Sequence, residues 1–148
     1  MASILDLTKV QDAHIDQRLR TNLIIWLNTV RPDGRPHGVA VWFLWDGAAF
    51  WIFSRPHNQK IRNLQQNRNV LLAVDDTYKG DDPIAIEGEA TLLAPGEIEM
   101  PYPPYLEKYS EYMQEVGLTP EQLATHSQAI RIKPTRVLRQ EAKDADSH

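Results

Sequence analysis

Cysteine is missing from all 148 residues, which excludes a disulfide framework, a thiolate zinc site, an iron–sulfur cluster and a cysteine nucleophile. An excess of positive charge is missing too. Sixteen Lys plus Arg against twenty Asp plus Glu leave a net charge of −4, and general nucleic-acid binding through overall charge is disfavoured. No run approaches the roughly 18 apolar residues of a membrane helix, and Asp6, Lys9, Asp12, Asp16, Arg18 and Arg20 break up the stretch where a signal peptide needs an apolar core. Familiar catalytic signatures are lacking: there is no Gly-x-Ser-x-Gly elbow, no phosphate-binding Gly-rich loop and no His-x-x-x-His or Glu-x-x-His pair. Asp75, Asp76, Asp81 and Asp82 lack calcium-loop spacing and read as a solvated turn. These absences fit one soluble, metal-free domain over 1–148, suited to a reducing cytoplasm.

What is present is enough apolar material for a core, 42% of the chain, and four Trp, all between Trp26 and Trp51. Residues 4–19 place Leu7, Val10, Ala13 or His14, and Leu19 at helical spacing, with Asp6 or Thr8 as N-cap, so 1–20 is expected to hold an N-terminal helix. From Asn22 the run LIIWLNTV reads as a strand buried on both faces. Arg31 to Pro36 carries Pro and Asp-Gly and predicts a reversal. Strands at 37–45 and 48–54 then flank Asp46-Gly47, a two-residue type I′ signal that pairs Trp45 with Ala48, Phe43 with Phe50 and Trp42 with Trp51. Alternation puts Trp42, Leu44, Trp51 and Phe53 on one face, and Val39, Val41, Phe43, Trp45, Phe50 and Ile52 on the other. A hairpin apolar on both faces needs a second cover: a helix, a ligand or another subunit.

Further strands are expected at 70–74, at 84–93 with Gly88 at a bulge or close approach, and at 127–138 with Pro134 at an edge or bulge. Helical texture marks 56–66, with Ile61 and Leu64 inward and Lys60, Arg62 and Gln65 outward, then 106–116 and 121–124. MPYPPY at 100–105 reads as irregular: either a rigid surface loop or the mouth of a substrate site presenting Tyr102 and Tyr105. The charged segment 139–148 is expected to fray. Together these patterns predict a mainly β, α+β fold: a small barrel of about six mostly antiparallel strands with flanking helices.

One stretch carries chemistry. Ser54-Arg55-Pro56-His57-Asn58-Gln59-Lys60 ends a strand at a hydroxyl and starts a helix within a few residues, so free amides and the positive end of the helix dipole lie near Arg55 and Lys60. The arrangement suits a phosphate, and it equally describes a solvated helix start beside chance cations. The Trp-bearing hairpin leads straight into it, as a flat aromatic ligand with a phosphate tail would require. For the Trp residues core packing is the ordinary role, with Trp42 and Trp45 the exceptions that could border a ligand.

The order TVRPDGRPHGVAVWFLWDG, AFWIFSRPHNQKIRNLQQNRNVLLAVDD, IAIEGEATLL resembles the pyridoxamine 5′-phosphate oxidase-like superfamily, and more closely its flavin/deazaflavin oxidoreductase branch of coenzyme F420-dependent enzymes. The resemblance implies an FMN-binding split β-barrel and a homodimer with cofactor sites at the subunit interface. It implies a ring lying along Val39, Ala40, Val41 and Trp42, and a cofactor phosphate held by Ser54, Arg55, Gln59, Lys60 and Asn63. The function it implies is hydride transfer between coenzyme F420 and a small unsaturated or quinone-like substrate. FMN-dependent oxidase or reductase activity is the alternative, and a non-catalytic flavin, deazaflavin or haem binder, with His37 or His57 on the iron, is a third reading. Arg35, Arg55 and Arg62 are extra cations that lean toward the longer anionic tail of F420. The chain departs from pyridoxamine phosphate oxidase itself in ending RVLRQEAKDADSH rather than in that enzyme's basic substrate-binding motif, which speaks against vitamin B6 oxidation.

Overall fold

The computed structural model describes residues 3–75 and 77–139. Asp76 and nearly all of the expected tail, 140–148, lie outside the described residues. Seven strands form one sheet: β1 (Ile24–Val30), β2 (Pro36–Trp42), β3 (Leu44–Trp45), β4 (Phe50–Ser54), β5 (Asn69–Val74), β6 (Ile84–Leu92) and β7 (Gln128–Val137). Helices α1 (Val10–Thr21), α2 (Gln59–Gln66) and α3 (Pro103–Val116) flank it, with a short 3₁₀ turn at Pro120–Leu123. Among the described residues no helix is long and apolar enough to cross a membrane.

The sheet order is β2-β1-β5-β6-β7-β4-β3, with every pairing antiparallel. Its two outermost strands, β2 and β3, are consecutive in the chain and separated only by Phe43. The sheet therefore curls on itself until its opposite edges meet at one residue, and beyond that residue β2 pairs with β1 alone. The result is a split β-barrel with one extra strand over the expected six, because the predicted strand 37–45 is broken at Phe43.

Phe43 contributes to no ladder, so its backbone groups must be satisfied otherwise. Tyr109 of α3 does this. Its hydroxyl accepts from the Phe43 amide at 2.8 Å and directs its proton between the carbonyls of Leu23 at 2.7 Å and Phe43 at 2.9 Å. Lys108 also donates to the Phe43 carbonyl at 2.7 Å, and its ammonium lies 3.7 Å from the Phe43 ring centroid. Burial pulls the Lys108 pKa down to about 8.

The 46–49 hairpin differs from the two-residue turn expected. Trp45 pairs with Phe50 and Leu44 with Trp51, a slip of two positions. Asp46 is the reason: its Oδ1 accepts from the amides of Ala48 and Ala49, and its Oδ2 from the Trp51 indole, building a four-residue loop around the side chain. Burial pushes the Asp46 carboxyl up, but these hydrogen bonds outweigh it and hold the carboxyl below its ordinary value. A two-residue slip preserves the faces. Phe43, Trp45, Phe50 and Ile52 enter the main core with Val39 and Val41 against it, while Trp51 and Phe53 form a second cluster with Trp42, Leu44 and α3.

That second cluster corrects the case for a partner made from the hairpin, because α3 covers the face. Trp42 stacks on Tyr109 at 4.3 Å and 4°, and Trp51 on Tyr102 at 4.9 Å. Helix α3 begins inside MPYPPY, since proline at N1 gives up an amide that has no acceptor there. The β1 run is buried on one face only. Ile25, Leu27 and Thr29 point inward, whereas Ile24 and Trp26 are 42% and 52% exposed. Trp45 is core, with its indole donating to Asp16.

At the N-terminus the expected apolar face is only partly formed: Leu19 is buried as expected, but Leu7 and Val10 are exposed, and α1 also buries Asp12 and Arg18. Asp12 accepts from Arg139 and the Asp6 amide. The 75–83 loop is only partly a solvated turn, because Asp82 binds Arg18 and His14. Gly88 sits at the expected bulge opposite Pro134, where a Cβ would lie 2.7 Å from Ile132.

Tyr109→Phe keeps the stacking and removes the hydroxyl, leaving the buried Phe43 amide without an acceptor. We expect it to lower unfolding free energy by about 1–3 kcal/mol. Urea denaturation of the variant and wild type measures this, and equal midpoints would show that the junction does not need the hydroxyl.

Candidate functional site

Where β2 loses its neighbour beyond Phe43, a cleft of about 510 Å³ opens, a volume in the range of small-molecule sites. Edge strand β2 lines it through Val39, Ala40, Val41 and Trp42, and β4 contributes Phe53. Asn58 and Lys60 enter from the start of α2. Tyr102, Tyr105 and Leu106 come from α3 and its N-terminus, and Leu118, Leu123 and His126 from the segment that returns to β7. Because β2 pairs only with β1 among the described residues, one edge of its backbone faces no strand, which leaves main-chain donors and acceptors there for another partner.

Lys60 dominates the electrostatics. It is only 8% exposed, lines the cleft, and has no hydrogen-bond or ion-pair partner among the described residues. Burial lowers its pKa from the ordinary lysine value. As the second residue of α2, after N-cap Asn58, it sits where helix amides lack intrahelical acceptors and the dipole is positive. His126 has a lowered pKa from burial first, then from the charges of Arg55 and Lys60. Burial again leads for His37, followed by Arg31 and Lys60. Both shifts favour the neutral imidazole, and among the cleft-lining residues Lys60 is the one Lys or Arg side chain.

The structure brings Val39, Ala40, Val41, Trp42 and Lys60 together on one cavity. The other expected phosphate contacts sit differently. Ser54 is buried and donates to the Arg55 carbonyl. Asn63, fully buried, accepts from Gln59 and donates to Thr29, while Gln59 also accepts from Arg62. Arg55 is exposed and acts on the site through its charge alone. Lys60 points inward rather than outward as helical texture suggested. Of the two expected haem ligands, His57 is exposed and His37 keeps a buried Nδ1 without a partner; neither lines the cleft. Among the described residues no cluster of three potential metal ligands occurs.

Leu106, Leu118, Leu123, His126 and Ser127 line the cleft without having been marked by sequence, and Asn58, inside the stretch read as an anion site, lines it too. Besides the MPYPPY segment, Tyr105 and Tyr109 at i, i+4 were a signal, since that spacing declares an aromatic helix face. Tyr102 and Tyr105 line the cavity instead of standing on a surface loop.

The family profile described as pyridoxamine 5′-phosphate oxidase matches residues 11–146. No curated protein sequence is significantly similar to the chain. Among solved structures, an F420 reductase is 27% identical, with a TM-score of 0.69 over 84% of this chain and 96% of that one. HutZ, the heme storage protein from Vibrio cholerae, is 16% identical, with a TM-score of 0.62 over 85% of this chain and 92% of that one. A conserved hypothetical protein from Mycobacterium tuberculosis is 21% identical, with a TM-score of 0.65 over 92% and 93%. The latter two likenesses concern the fold alone.

The Lys60 stem is buried, but its ammonium is not among the atoms sealed from solvent, so its charge costs the ligand-free fold less than a fully desolvated cation would. Lys60→Met keeps the stem and removes the charge, and should stabilise the ligand-free protein modestly, by about 0.5 kcal/mol, the low end of what a single stabilising substitution gives. Thermal or urea unfolding without ligand checks this; a destabilised variant would mean that the ammonium has a structural partner.

Proposed function

The chain belongs to the pyridoxamine 5′-phosphate oxidase family, and from that premise we propose that it is an FMN-dependent oxidoreductase whose cleft holds the cofactor. One observation carries the reading: Lys60, buried and unpartnered, beside an open strand edge in a cavity of about 510 Å³. These residues fit the group. Lys60 and the amides at the start of α2 would hold the phosphate, while the free edge of Val39–Trp42 would meet the polar rim of the ring. Phe53, Trp42 and Tyr102 line the same cavity and would limit water beside the bound group.

When bound, FMN supplies the two-electron hydride chemistry, and the protein supplies binding, orientation and electrostatics. This matches a chain without a nucleophile motif. His126, whose neutral form is favoured by burial and by the nearby Arg55 and Lys60 charges, lines the same cavity and would offer a ligand a hydrogen-bond acceptor.

A second reading, the deazaflavin coenzyme F420, is favoured by the 27% identity to an F420 reductase. The extra cations that suggested its longer tail support it less than expected. Arg35 pairs with Asp33 and Arg62 bonds Gln59, which leaves Arg55 as the one of the three whose charge reaches a cleft residue.

We also propose a homodimer through the outer face of β1. Trp26 lies in register between Ala40 of β2 and Ala73 of β5, giving a flat apolar surface around a half-exposed indole. Ala40 lines the cleft as well, so this surface borders the cofactor site.

Titration of the ligand-free protein with FMN and with F420 separates the cofactors. FMN should bind at micromolar or better, and Lys60→Met should weaken it about 10–150-fold, the equivalent of about 1.5–3 kcal/mol for a hydrogen bond to a charged group. Tight F420 binding without FMN selects the second reading, a Soret band with added haem selects storage or transport, and binding of none of them ends the cofactor assignment. Sedimentation should show a dimer that Trp26→Glu converts to monomer; a monomeric wild type would remove the interface.

A further inference from the structure

Helix α3 carries two inward tyrosines one turn apart whose hydroxyls meet different ends. Tyr109 commits its oxygen to the backbone of Leu23 and Phe43. Tyr105 is 8% exposed and packs edge-on against Phe53 at 4.7 Å and against Tyr109 at 5.0 Å, yet its hydroxyl has no partner among the described residues. That oxygen is not among the buried polar atoms sealed from solvent without a partner, and the space Tyr105 lines is the cleft. Phenylalanine would fill the same aromatic packing without leaving a polar group unpaired. The hydroxyl is thus surplus to the core and open to whatever occupies the cavity.

Its chemistry is narrow. Burial, with the neighbouring Tyr109 adding to it, raises the Tyr105 pKa well above the ordinary phenol value, so the group stays protonated at working pH and can donate. Trp42, Phe53, Tyr102 and Leu106 supply flat and apolar walls to the same cavity, which suit a planar ligand rather than a charged one. A neutral donor in such a setting discriminates strongly between a ligand that offers an acceptor oxygen and one that does not, because the acceptor is paired in one case and the donor is stranded in the other.

We infer that the Tyr105 hydroxyl is a specificity-determining donor, selecting a planar carbonyl compound over its hydrocarbon analogue in the cleft beside the cofactor. The inference rests on the cofactor reading above, and it concerns the second ligand, not the cofactor phosphate, which belongs to Lys60. It makes Tyr105 a positioning group for the compound that exchanges electrons with the cofactor.

The test uses protein loaded with oxidised FMN, with 1,4-naphthoquinone and naphthalene as a matched pair titrated by calorimetry into wild type and Tyr105→Phe. With no cysteine in the chain, the quinone has no thiol to alkylate. Naphthoquinone should bind the variant about tenfold more weakly, which corresponds to 1.4 kcal/mol, while naphthalene and FMN affinities stay within twofold and the melting temperature is unchanged. An unaltered naphthoquinone affinity, an equal loss for naphthalene, or no naphthoquinone binding by wild type overturns the inference. A tenfold loss of FMN affinity in the variant also overturns it, by assigning the hydroxyl to the cofactor. If wild type takes up no FMN, the cofactor reading fails separately, and the same pair titrated into ligand-free protein decides whether Tyr105 donates to a carbonyl.

Discussion

The Tyr109 hydroxyl sits where two edges of a sheet become one chain, and the cleft depends on that junction. A sheet that curls until its outer strands are consecutive has two options. The strands can pair along their length and close the barrel, or they can meet at one point and diverge. Here they meet at Phe43, which belongs to neither ladder, and its amide and carbonyl are satisfied by Tyr109 and Lys108 rather than by a strand. Side chains from a helix can therefore hold the barrel together at one residue, and β2 beyond that residue is free to present its edge to a ligand. A continuous pairing of β2 with β4, as the Asp46-Gly47 signal predicted, would have used those backbone groups and left no opening.

The predicted pairing failed for a local reason, and the faces survived for a geometric one. Asp-Gly favours a two-residue turn, but Asp46 binds three donors with its carboxylate, which lengthens the loop by two residues. Strand side chains repeat with period two, so the same residues stayed on the same sides, and the division of aromatics between two clusters was legible from alternation alone. The break at Phe43 was not legible. Nothing in VAVWFLW marks one residue as outside the ladder, because its partner lies 66 positions away in α3. Gly88 and Pro134 were readable, since each has a property, a missing side chain or a missing amide, that restricts where it fits.

The site divides along the same line. Lys60 stood out because chain-local features, a strand end, a helix start and a cation, placed it there. Its inward direction was not visible, because helical periodicity assigns cations to solvent unless the packing of the other elements is known. The Ser54, Gln59 and Asn63 side chains are polar residues at fitting positions, yet in this structure they bond to protein. The α3 side of the cavity was almost silent in sequence: Leu118, Leu123 and His126 acquire meaning only from where α3 lies against Trp42, Trp51 and Phe53.

Helix α3 consequently serves two ends with one packing surface. Its register is set by the Trp42–Tyr109 stack and the hydroxyl at Phe43, and the same register fixes Tyr105 one turn earlier over the cleft. A shift of the helix that disturbed the cleft would also break the hydrogen bonds that close the barrel, so position at the ligand is maintained at the cost of fold stability and not by a loop free to drift. Lys60 works in the opposite sense. Its ammonium lines the cleft with no hydrogen-bond or ion-pair partner among the described residues, so an anion bound there would gain a charge-assisted contact that the ligand-free protein lacks. The cleft thus combines one element held rigid by the core with one cation that has no protein partner among the described residues, and the proposed ligand would draw on both.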